Sequence, residues 1–157
     1  MTTLHHDTLT FERDYPASPA RVYAAFSSPE ARARWAVPEG DVMTYDQADF
    51  SVGGYDVCRC GSPGALVNTI NTRYLDIVPR ERIVTAERTD RDGSLLGVSL
   101  NTLELIPLLS GTRLKMTIQL GVSDARARQG YQAGWSVVLE QLNQELLVTG
   151  QTEDQRA

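Results

Sequence analysis

Two spacings of apolar residues organise this chain. Through its middle, apolar and polar side chains alternate; near its end, apolar residues recur every three or four positions. The clearest alternation is "RLKMTIQL", where Leu114, Met116, Ile118 and Leu120 share one face and Arg113, Lys115, Thr117 and Gln119 the other. That is the period of a strand with one side on a core and the other in water. Similar segments predict strands over about 9–15, 43–50, 55–60, 66–78, 82–89, 98–105 and 113–120. Turn chemistry separates them: Gly53-Gly54, "GSPG" at 61–64, "VPRE" at 78–81, Asp92-Gly93 and Ser110-Gly111.

Helices flank this run. Ser18-Pro19 opens "SPARVYAAF" and Ser28-Pro29 opens "SPEARARWA". A serine hydroxyl accepts from an orphan amide of the first turn, and proline at the first helical position loses no needed donor. Val22, Phe26 and Trp35 are the expected inward residues, and Pro38 and Gly40 the expected stop. Tyr131, Trp135, Val138, Leu139, Leu142 and Leu146 form one helical face. This long helix is expected from about residue 124 or 125 to 148, with Gly150 just past its end. The order is strand, two short helices, six strands, long helix. It predicts an α+β fold in which a curved antiparallel sheet of about seven strands wraps the C-terminal helix.

Composition narrows the function classes. At 157 residues, 41% of them hydrophobic, residues 1–150 suit one domain with a sizeable core, followed by a polar tail over 151–157. The formal net charge is −5 and no basic face stands out. Arg80, Arg82, Arg88 and Arg91 are interleaved with Glu81, Glu87, Asp90 and Asp92, a solvated hairpin surface rather than a nucleic-acid interface. No apolar run is long enough to span a membrane and the start lacks a signal-peptide pattern, so no membrane insertion and a cytoplasmic location are expected.

"SPARVYAAFSSPEARARW", the pair in "VGG", "RYLDIVPRERIV", "GTRLKMT" and "GYQAGWSVVLEQL" stand in an order that covers nearly the whole chain. In this the sequence resembles the START-like (SRPBCC) superfamily, whose fold is the helix-grip. More narrowly it is similar to bacterial proteins of the family named after the activator of Hsp90 ATPase. "GGYDVCRCG" resembles a variant of that family with an aspartate and an Arg-Cys-Gly after the glycine pair. The resemblance implies a cavity between sheet and long helix for a small hydrophobic or amphipathic molecule. Superfamily members include lipid and hormone carriers and polyketide cyclases or aromatases. The co-chaperone activity itself is not expected to carry over, because part of it depends on a separate domain that 157 residues are not expected to accommodate.

The two cysteines, Cys58 and Cys60, share a strand face with Asp56. Their Cα atoms would be about 6.6 Å apart, at the limit for a disulfide. The spacing is not the C-x₂-C of a metal site, and the histidines, His5 and His6, sit near the N-terminus. Neither metal nor cofactor is expected, and the cysteines read as small buried hydrophobes. On the family pattern this face looks into the cavity, where small side chains leave volume for a ligand.

Asp56 there is a candidate acid/base or an anchor for a polar ligand group. Its alternative is a salt bridge to Arg73 or Arg88, or exposure at a bulge. Gly130 and Gly134 are expected either to open space beside Trp135 or to allow tight helix–sheet packing. Trp35, Tyr74, Met116 and Val138 complete the expected lining. Tyr45 and Tyr55 are expected at a rim or a dimer contact.

No nucleophile elbow, phosphate loop or H-E-x-x-H motif is present. The leading reading is a small-molecule binding protein. One alternative is a cavity enzyme of the cyclase/aromatase or dehydratase type, using a carboxylate such as Asp56, Glu87 or Glu104. The other is a protein-interaction or co-chaperone-like module, and a homodimer through a free sheet edge is compatible with this fold.

Overall fold

The computed structural model describes residues 3–154. Strand β1 (His5–Tyr15) leads into helices α1 (Pro19–Ser27) and α2 (Pro29–Trp35). Six strands follow: β2 (Val42–Gln47), β3 (Tyr55–Ser62), β4 (Ala65–Val78), β5 (Arg82–Arg91), β6 (Ser94–Leu108) and β7 (Gly111–Val122). Helix α3 (Ala125–Asp154) closes the chain. The seven strands form one antiparallel sheet in the order β1-β7-β6-β5-β4-β3-β2. β2 to β7 are a meander of hairpins. α1 and α2 carry the chain across the sheet, so β1 pairs with the last strand instead of the next.

Both short helices start as their serines and prolines dictate. The Ser18 hydroxyl accepts from the Arg21 amide at 3.3 Å and Ser28 from the Ala31 amide at 3.1 Å. Val22, Phe26 and Trp35 point inward, and the Trp35 indole donates to the Ala25 carbonyl at 3.0 Å, tying α2 to α1. The inner face of β7 is fully covered: Leu114, Met116, Ile118 and Leu120 pack with Leu9 and Phe11 of β1 against Val138, Leu139, Leu142 and Leu146 of α3. The Tyr15 hydroxyl donates to the Leu139 carbonyl at 2.7 Å and fixes how α3 lies on the sheet.

Five elements differ from expectation. α3 runs through Gly150 to Asp154. A glycine stop needs a left-handed backbone, and Gly150 is not among the positive-φ residues. The Arg21 guanidinium lies over Gly150, where a Cβ would meet it at 2.8 Å, and donates to the Leu146 carbonyl. Residues 155–157 of the expected tail lie outside the described residues. β2 ends at Gln47, not at residue 50, after a register shift between Tyr45 and Gln47. β5 and β6 are longer than expected because Asp92 (φ 50) and Gly93 (φ 79) turn the chain in two residues, the primed geometry that lets both arms pair up to the turn. His5 and His6 belong to β1, paired with Val122 and Gly121.

Candidate functional site

Between the concave face of the sheet and helices α2 and α3 lies a cavity of about 160 Å³. Its apolar wall comes from Phe26 and Trp35 of the short helices, Trp135 of α3, Phe50 of the β2–β3 loop, and Ile70, Ile83, Leu103 and Met116 of the sheet. Edge-to-face aromatic contacts hold this wall: Phe26–Trp35 at 4.9 Å between centroids and Phe50–Tyr74 at 4.8 Å.

One polar cluster in the cavity is closed on itself. Asp56, 4% exposed, lies on the inward face of β3. Its Oδ2 accepts from Arg32 Nη2 at 2.8 Å and from the Tyr74 hydroxyl at 2.5 Å, and its Oδ1 from the Asp49 amide at 3.0 Å. The Arg32 guanidinium also donates from Nε to the Tyr45 hydroxyl at 2.9 Å and from Nη1 to the Phe26 carbonyl. Burial pushes the Tyr45 phenol up to about 12 and the Tyr74 phenol further still, so both stay protonated.

The glycine pair makes the third donor reachable. The Gly53 amide donates to the Tyr74 carbonyl at 2.8 Å and the Tyr74 amide to the Gly54 carbonyl at 3.1 Å, folding the loop onto β4. A Cβ on Gly54 would stand 2.3 Å from the Asp49 carbonyl oxygen. Only glycine lets the Asp49 amide come within reach of Asp56.

A second polar cluster stands on the middle strands. Glu87 of β5 accepts weakly from Thr72 Oγ1, at 3.3 Å, and burial pushes its carboxyl up to about 7. Asn101 of β6, 8% exposed, lines the same cavity, and its carboxamide oxygen has no hydrogen-bond partner. The hydroxyl of Ser99, the Cα partner of Glu87, is likewise buried and without a partner.

Of the residues expected to line a cavity, Trp35, Asp56, Cys58, Tyr74, Met116 and Trp135 do so. Cys60, Gly134 and Val138 do not. Cys60 shares the inward face of β3 but is buried near the strand's far end, beside Asn68. Val138 belongs to the core. A Cβ at Gly130 or Gly134 would meet nothing within 4 Å, so neither serves close packing. The Asp56 partner is Arg32, not Arg73 or Arg88. Those two lie on the exposed face, stacked on Tyr55 (5.0 Å) and paired with Asp90 (2.8 Å). Tyr45, partly buried on edge strand β2, lines the cavity.

Both cysteines are free, and burial pushes the Cys58 thiol up to about 12 and raises Cys60 as well. Among the described residues, no three His, Cys, Asp or Glu side chains converge as a metal would require, and no helix is long and apolar enough to cross a membrane.

The sequence signals for the missed residues are faint. Asn101 shares the inward parity of Leu103 and Leu105, where an amide is out of place. Arg32 lies one turn before Trp35, on the same helix face.

A curved seven-stranded sheet gripping a long C-terminal helix over a partly polar cavity defines a START-like, helix-grip protein. Residues 16–146 match the family model described as activator of Hsp90 ATPase homolog 1-like protein, and the chain belongs to that family. Solved structures agree. A protein of Rhizobium loti is 37% identical over 91% of this chain and 99% of its own, with a TM-score of 0.81. One from Chromobacterium violaceum is 35% identical over 88% and 96%, at 0.79. A putative uncharacterised protein from Rhizobium leguminosarum is 30% identical over 92% and 96%, at 0.82. Comparison with curated proteins gave no match.

Proposed function

We propose that this protein binds a small, largely apolar molecule in the cavity between the sheet and helices α2 and α3. The observation that carries this reading is the cavity itself: six aromatic rings, from Phe26, Trp35, Tyr45, Phe50, Tyr74 and Trp135, surround a space that the core does not fill. Interiors normally close such voids because each lost contact costs stability. A space of about 160 Å³ is about that of an engineered apolar cavity that holds a benzene molecule. Native mass spectrometry of the freshly purified protein, set against its denatured mass, tests the reading. An excess of one to a few hundred daltons, on the order of a one- or two-ring molecule, released on denaturation, is the expected result. A bare mass that no apolar aromatic compound changes at millimolar concentration overturns it.

A second reading, a cavity enzyme of the cyclase or dehydratase type, draws on the Glu87 carboxyl, whose value near 7 suits proton transfer at neutral pH. Asp56 suits that role less, since three donors already engage its two oxygens. Glu87→Gln abolishes turnover in an enzyme and only retunes affinity in a binder.

A further inference from the structure

Every polar group at one end of the cavity is already spoken for. Asp56 takes three donors, and Arg32 reaches Asp56, Tyr45 and the Phe26 carbonyl. A ligand can take up the Asp56 carboxylate there only by breaking a buried ion pair. The middle strands differ. Asn101 is more than nine-tenths buried, faces the cavity and leaves its carboxamide oxygen unpartnered. Glu87 lies diagonally across on β5, because Thr85 is the Cα partner of Asn101. That places the two Cβ atoms roughly 7 Å apart, close enough for one polar group to bridge them. Buried polar atoms are almost always paired, so an unpaired one on a residue that lines a cavity marks the place of a missing partner.

Resting on the cavity reading above, we propose that Asn101 and Glu87 form the recognition subsite for the ligand's head group, and that the ligand is a single-ring aromatic carrying a hydroxyl of the phenol type. Three physical constraints select this class. The volume suits one ring. Arg32 in the same wall disfavours a cationic head, and Glu87 with Asp56 disfavours an anionic one. The carboxamide oxygen needs a donor, and the Glu87 carboxyl, when protonated, needs an acceptor; a hydroxyl is both.

Titration calorimetry with phenol and with toluene, which match in size but differ in the hydroxyl, tests the proposal on the full chain at pH 7. Phenol is expected to bind about tenfold more tightly or better, since a site built for a hydroxyl rejects the analogue lacking it. In Asn101→Leu, which keeps the branched shape and removes the polar atoms, that preference is expected to collapse while toluene still binds. The ligand-free Asn101→Leu protein is also expected to melt higher than wild type, because an unpaired buried amide has been removed. Glu87→Met is the second variant and reads the same preference should Asn101→Leu not fold. Equal affinity for phenol and toluene, or a preference that survives both variants, overturns the subsite and leaves the cavity reading standing. Binding of neither compound overturns both.

Discussion

The two polar clusters of the cavity are built from similar side chains and have opposite uses of them. Around Asp56, each oxygen and each guanidinium branch finds a partner within the protein, and the result joins α2, β2, β3 and β4. Around Glu87 and Asn101, partners are missing or weak. A saturated buried network fixes structure; an unsaturated one costs stability until something else completes it. On the proposed reading, the contrast gives Asp56 to architecture and Glu87 with Asn101 to recognition. For Asp56 this favours the salt-bridge alternative that the sequence left open, with Arg32 as the partner.

The largest effect that can break the contrast is on the closed end. Asp56→Ala or Arg32→Ala leaves a buried charge alone and is expected to cost about 3–5 kcal/mol in urea unfolding. The double variant is expected to cost well under the sum, and a cycle that comes out additive removes the network from the account.

At the open end the effect is smaller and depends on pH. Burial raises Glu87 from 4.5 to about 7, so the folded state holds a proton that the unfolded state has released. Its contribution is fully present below about pH 4.5 and lost as pH rises through 7, on the order of 3 kcal/mol. Glu87→Gln is expected to remove that slope, and a wild-type profile already flat from pH 4.5 to 7 denies the burial. Cys58 and Tyr131, which feel the Glu87 charge, titrate only at about 12. Asp7, Asp14, Asp46 and Asp90, held low by their arginines, lose their contributions as pH falls below about 3.8, the opposite sign in a different window.

The smallest effect concerns α3. Since a Cβ at Gly134 meets open space, Gly134→Ala is expected to stabilise by about 0.5–1 kcal/mol through helix propensity alone. A loss of stability in thermal unfolding instead means that the glycine has a packing role.

The fold was legible in the sequence because it rests on local signals: alternation in β7, serine–proline starts for α1 and α2, two-residue turns, and a helix whose start Asp124 caps by accepting from the Ala127 amide at 2.8 Å. That Asp56 and Cys58 share a face followed from the period of two in β3, and the family resemblance implied that this face looks inward. What escaped was long-range. Arg32 lies 24 residues before Asp56 and meets it only once α2 packs over β3. The Gly150 stop failed because Arg21, far away in α1, engages the last turns of α3. That Asn101 lacks a partner is a property of everything around it, which no local pattern encodes.

The division between a closed and an open end is tested most directly by following side-chain NMR signals during a phenol titration: the Asn101 carboxamide protons and the Arg32 Nε proton. The account expects the Asn101 signals to move with saturation while Arg32 Nε stays in place. Movement of Arg32 Nε with Asn101 unchanged contradicts it and returns the ligand to Asp56.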